Sequence, residues 1–155
     1  MNTSRRWLLV FAIVVGILVI AVISLVLFTK GDNAALLAED SPQGTVQRYL
    51  MAVQEKDFQT AFGYLSFDSS QKITNFNDWI TSVGMPQASV QSSWKATLGK
   101  VTQNGNYATV EVTIDNFRTG GLFSNSQYSQ QLAFMLTKTG SSWLITAPTY
   151  LYWIY

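Results

Sequence analysis

A chain of 155 residues, 48% apolar and only 12% charged, has the length of one domain and is too hydrophobic for a disordered polypeptide. It contains no cysteine and no histidine, which removes disulfides, thiol nucleophiles, a lipidated cysteine and the usual nitrogen and sulfur ligands of zinc, copper or haem. Ten basic residues against nine acidic ones leave a net charge of +1 with no basic stripe, so neither a nucleic acid partner nor a cofactor is expected.

The first element is the run "WLLVFAIVVGILVIAVISLVLF" at 7–28, which carries no charge. At about 1.5 Å per residue it is long enough to cross a bilayer core of about 30 Å, and it predicts a transmembrane helix. Arg5 and Arg6 precede it, while Lys30 and Asp32 follow it with little net charge, which orients residues 1–6 to the cytoplasm. "SRRWLL" at 4–9 is similar to a twin-arginine export signal, but a positive cap is what any anchor of this orientation needs. The run is too long for a cleaved signal peptide, so a retained anchor is expected. Residues 29–40 follow as a linker, and 41–155 form an extracytoplasmic domain of a single-pass cell-membrane protein.

In "SPQGTVQRYLMAVQEKD", Ser41 is placed to cap a helix with Pro42 at its first position, where the missing N–H costs nothing. Val46, Tyr49, Leu50 and Val53 follow on one face. Asp57 caps a second helix bearing Phe58, Ala61, Phe62 and Leu65, after a bend at "EKD". A third helix is predicted in "NFNDWITSVG", with Asn75 or Asn77 as cap, Trp79, Ile80 and Val83 inward, and Gly84 and Pro86 as its stop.

From Val90 the period changes to two. "SWKATLGKV" leads through "QNGN" at 103–106 into "YATVEVTIDNF", and Asn-Gly between alternating segments signals a hairpin. Ala108, Val110, Val112 and Ile114 share one face of that strand; Thr109, Glu111, Thr113 and Asp115 share the other. "RTGGLFSNS" at 118–126 reads as a long loop whose Leu122 and Phe123 are candidates for contact with a partner or membrane. A second hairpin turns around Gly140. The terminal "TYLYWIY" reads as a continuation of the last strand, with Tyr150, Tyr152 and Ile154 on one face and Leu151, Trp153 and Tyr155 on the other. Aromatic residues on both faces call for a second surface, which makes Tyr150, Tyr152, Trp153 and Tyr155 candidate contacts for protein or membrane.

The bend "EKDFQTAFGYLS", the hairpin "NGNYATVEVTI" and the strand "GSSWLI" together resemble the nuclear transport factor 2-like (cystatin-like, SnoaL-like) superfamily over roughly 41–155. The resemblance implies an α+β fold in which a curved antiparallel sheet wraps about three helices into a cone. It also implies an apolar pocket, for which Tyr49, Tyr64, Trp79 and Tyr128 are the candidate lining residues. Members resembling ketosteroid isomerase pair a general-base Asp with a Tyr, and Tyr49, Tyr64, Asp115 and Tyr128 would be the candidates here. None matches a catalytic motif, so catalysis is not expected.

These observations together predict a membrane-anchored, non-catalytic interaction module. Its expected role is that of an accessory or assembly subunit of a membrane complex, with other subunits or a second copy as partner. The alternative expectation is a binder of a small apolar ligand in the cone.

Overall fold

The protein is described here by a computed structural model that covers Val15, Gly16 and residues 35–83, 92–119 and 125–154. The chain divides into two compact units, Met1–Leu36 and Leu37–Tyr155.

Within the second unit, Ser41 is extended and its side chain accepts a hydrogen bond from the Gly44 N–H, which starts helix α1 at Pro42–Gln54. Val46, Tyr49, Leu50 and Val53 are buried along one face, as the i, i+3, i+4, i+7 spacing requires. The chain that enters this helix is strapped against it. Gln47 Oε1 accepts from the Leu37 N–H, and Arg48 donates to the Leu37 carbonyl. A Cβ on Gly44 would lie 1.9 Å from the Ala38 carbonyl oxygen, so only glycine admits this approach.

The bend after α1 places Lys56 at φ 62°, the left-handed region that a non-glycine residue visits at some cost. Asp57 then caps α2 at Phe58–Gly63 by accepting from the Thr60 N–H. Asp68 caps a short 3₁₀ turn at Ser69–Gln71, and Asn75 accepts from the Asp78 N–H at the start of α3, Phe76–Val83. Hydrogen bonds from Thr60, Ser70 and Thr74 hold the carboxyls of Asp57, Asp68 and Asp78 below the usual carboxylate range.

Four strands follow as one antiparallel sheet in the order β1-β2-β3-β4: Ser92–Asn104, Tyr107–Thr119, Asn125–Thr139 and Ser142–Ala147. Both tight turns carry a glycine at positive φ, Gly105 at 57° and Gly140 at 63°, where a side chain would be strained. Between Leu98 and Val101 the register of β1 slips by one residue against β2. Gly99 sits in that bulge, where a Cβ would meet the Glu111 carbonyl oxygen at 3.1 Å. The outer edge of β4 is covered, because Ile145 donates to the Tyr64 carbonyl and accepts from the Ser66 N–H, both at 2.8 Å.

The helices pack on one side of this sheet. Val110, Val112, Ile114, Phe134, Leu136 and Ile145 point into that core together with Trp79 and Trp143. Phe62 anchors the helical side, with its ring centroid within 6 Å of those of Phe67, Phe76 and Trp79.

Several expectations are corrected. Among the described residues of the Leu37–Tyr155 unit, the architecture is three α-helices and a four-stranded antiparallel sheet, in place of a transmembrane helix followed by a cone. No helix among the described residues is long and apolar enough to cross a membrane. The longest, α1, has 13 residues, about 20 Å at the helical rise and short of a bilayer core. The expected single-pass anchor, its cell-membrane location and the extracytoplasmic placement of the domain are withdrawn on that ground. Apart from Val15 and Gly16, the run at 7–28 lies outside the described residues.

The long loop is also shorter than expected, since β2 and β3 pair as far as Thr119 with Asn125. The tail does not prolong β4. That strand stops at Ala147, and residues Tyr152–Ile154 form a 3₁₀ turn.

Candidate functional site

The C-terminal segment crosses the helix-facing side of the sheet, and side chains from distant elements hold it there. Trp79 Nε1 on α3 donates to the Thr149 carbonyl at 2.7 Å. Leu151 is fully buried. The Trp153 carbonyl receives two amide N–H groups, from Asn116 Nδ2 on β2 at 3.1 Å and from Gln130 Nε2 on β3 at 2.5 Å. The Trp153 ring stands edge-on to Trp94 and Phe134, at centroid distances of 5.4 and 6.2 Å, so one indole touches β1 and β3. Its own Nε1 donates back to the Tyr150 carbonyl at 2.8 Å, which satisfies the polar end of a buried tryptophan.

The same clamp turns Tyr150 and Tyr152 outward. They are 46% and 65% exposed, and their rings lie 5.7 Å apart at a tilt of 37°. The alternation expected of this segment thus holds without a strand: Leu151 and Trp153 are inside, Tyr150 and Tyr152 outside. Trp153, expected as a surface contact, belongs to the core. Leu122, Phe123 and Tyr155 lie outside the described residues.

Of the pocket candidates, Tyr49, Trp79 and Tyr64 join one packed core, and Tyr128 stands apart from it. Tyr49 and Trp79 have no exposed surface, Tyr64 is half-buried beside β4, and Tyr128 is 65% exposed on β3. The catalytic candidates diverge. Tyr49 packs edge-on against Phe134 inside the core. Asp115 alternates with the buried Ile114 and Asn116, which points it to the other side of the sheet, where it accepts from Ser129 Oγ.

Burial pushes the Tyr49 phenol well above its ordinary pKa, and its hydroxyl has no hydrogen-bond partner. Asn116 Oδ1 is likewise buried and unpaired, while its amide N–H serves the Trp153 carbonyl. Among the described residues no group of three carboxylates is placed to hold a metal ion.

Asn116, Gln130 and Trp94 are the site residues that sequence reasoning missed. Asn116 falls in phase with the apolar face of β2, two positions after Ile114. A polar residue at an apolar phase is the signal that marks a buried hydrogen-bonding role.

No protein-family model matches the chain, and no curated protein sequence matches it. Among solved structures it is similar to a SEC-C motif containing protein from Rhodopseudomonas palustris, with a TM-score of 0.49 and 17% identity, over 73% of this chain and 80% of that one. The resemblance to the nuclear transport factor 2-like superfamily is withdrawn, since no family model matches the chain. The motifs that suggested it, a helix bend followed by two hairpins, are local features that many α+β chains share.

Proposed function

We infer that the Leu37–Tyr155 unit is a non-catalytic interaction module, an accessory or assembly subunit that docks on another protein through its C-terminal segment. The observation that carries this reading is the exposed Tyr150–Tyr152 ring pair on a backbone fixed from beneath by Trp79, Asn116 and Gln130. Tyrosine offers a large contact area at low conformational cost, and a clamped backbone has already lost the entropy that docking would otherwise remove. The perturbed titrating groups support the same reading. Two are capping aspartates, Asp57 and Asp68, one is Asp78 in the first turn of α3, and one is a core tyrosine, each shifted by a structural cause.

The test replaces Tyr150 and Tyr152 together with Ala in the full chain and compares cross-linked complexes from its native host with those of the unaltered chain. Loss of one defined complex with the melting temperature unchanged supports the reading. Identical complexes in both samples would overturn it.

A further inference from the structure

The tip of the first hairpin brings together the parts of a reaction that the rest of the fold keeps apart. Asn is followed by Gly once in the chain, at Asn104 and Gly105. Both residues are exposed, Asn104 as the last residue of β1 and Gly105 as the first of the turn. A Cβ built on Gly105 would meet nothing within 4 Å, so the backbone nitrogen stands in open space. Among the described residues no hydrogen bond holds the Gly105 N–H or the Asn104 side-chain amide. Asn75 and Asn116 differ on every count. Asn75 accepts from the Asp78 N–H at the start of α3, Asn116 is buried with its amide given to the Trp153 carbonyl, and each is followed by phenylalanine.

We propose that Asn104 is a modification site, at which the side-chain amide converts spontaneously to an acid in the folded chain. The Gly105 nitrogen gives up its proton to solvent base, and its electron pair forms a bond to Asn104 Cγ. The Cγ–Nδ2 bond breaks, and that nitrogen takes up a proton and leaves as ammonia. Water then adds to either carbonyl of the cyclic imide and opens the ring, which leaves Asp or isoaspartate at position 104. The only reagents are the chain and water.

The step needs the peptide plane between Asn104 and Gly105 to turn out of its strand geometry. What resists is the closing pair of the hairpin, Asn104 with Tyr107, which is exposed on both strands. One pair at a wet strand end is weak enough for the tip to open while the rest of the unit stays folded. Glycine at 105 matters, because a side chain there would shield the nitrogen and hinder the rotation. The product alters the tip. Asp adds a negative charge, and isoaspartate carries the main chain through the side-chain carbon, which disrupts the ladder as an inserted residue does in a bulge. The Lys138 N–H donates to the Asn106 carbonyl at 2.8 Å, so the end of β3 is tied to the same tip and loosens with it.

The test incubates the full chain at mildly alkaline pH beside the free peptide KVTQNGNYATV, residues 100–110. Ammonia release and isoaspartate are followed together, the latter by labelling with a protein isoaspartyl methyltransferase. The folded chain should convert no more than about tenfold more slowly than the peptide, which is the cost of opening one terminal pair. Peptide mapping should place the product at 104, Asn104→Gln should remove both signals, and amide exchange at Lys138 should quicken in the converted chain. A slowdown above about a hundredfold would overturn the proposal, because conversion would then wait for the whole unit to unfold. Ammonia and isoaspartate appearing at the full rate in Asn104→Gln would overturn the assignment to this residue.

Discussion

The two sides of the sheet share every backbone hydrogen bond and differ in everything else. On the helix-facing side Val110, Val112, Ile114, Phe134, Leu136 and Ile145 are almost wholly buried, and the C-terminal segment is laid across them. On the open side Thr97 faces Thr113, Thr102 faces Thr109, and Lys95 lies across from Asp115. Glu111, Gln131 and Met135 are exposed there. Strand formation is common to both sides, so the difference locates the stability of the fold in what each side covers. One side excludes water with helices and aromatic rings, and the other stays hydrated and contributes cross-strand pairs worth a few tenths of a kcal/mol each.

The comparison breaks most readily at the tryptophans. Trp79→Ala should destabilise the unit by about 3 to 5 kcal/mol, because it empties a fully packed site and removes the donor to the Thr149 carbonyl. Urea denaturation followed by circular dichroism measures it. A loss under about 1 kcal/mol would mean that the helix-facing side is not the core.

Gly44→Ala comes next. Alanine in place of glycine inside a helix is ordinarily favourable by about 1 kcal/mol. Here the new methyl would run into the Ala38 carbonyl at 1.9 Å, and backbone cannot yield as a flexible side chain does. A net loss of about 1 to 2 kcal/mol is expected, accompanied by faster amide exchange at Leu37, whose N–H is bonded to Gln47. A gain in stability would show that residues 37–38 are free to move off α1.

How far such features were legible follows the range of the interactions involved. Ser41 with Pro42, Asp57, Asn75, the turn at Gly105 and the turn at Gly140 act over a few residues, and each does what its local chemistry dictates. The bulge after Leu98 escaped, because Gly99 within an alternating strand is only a hint until its closeness to Glu111 is seen. Trp94 on β1 is half-buried and finds its partner in Trp153, a contact that the alternation of its strand does not specify. The tail was misread as a strand because Leu151 and Trp153 alternate with Tyr150 and Tyr152 in a period of two. Its actual restraints come from Trp79, Asn116 and Gln130, which lie 70, 37 and 23 residues from the carbonyls they bind. No local pattern encodes a contact at that distance. The apolar run at 7–28 and the bend-plus-hairpin resemblance were read from patterns that permit more than one structure.

A third prediction reverses the usual sign for a core substitution. Tyr49→Phe keeps the ring against Phe134 and removes a buried hydroxyl that has no partner. It should leave the unit about 1 kcal/mol more stable. It should also alter the alkaline limb. The folded-state pKa of Tyr49 is raised, so its contribution is fully present below the unfolded value of about 10 and is lost as pH rises beyond it toward the folded value. Melting temperatures from pH 8 to 11 should therefore fall less steeply in the variant. A destabilisation above about 1 kcal/mol would mean that the hydroxyl does find a partner in solution, such as a buried water.

The smallest expected effect tests the quiet side of the comparison. Met135 is 54% exposed and sits on β3 opposite Ala147, in the phase of Ala133 and away from Phe134 and Leu136. Thr113 lies across from Thr97 and Gln131 on the same side. If water covers this side, Met135→Ala removes only contacts along the surface, and Thr113→Val trades a solvated hydroxyl for a methyl of equal branching. Both should stay within about 0.5 kcal/mol of the native chain in urea denaturation. The measurement is informative because concentration can be varied with it. A loss above about 1.5 kcal/mol for Met135→Ala that grows with protein concentration would show the open side to be buried in an assembly. The asymmetry would then belong to the single chain and disappear in the form it adopts in solution.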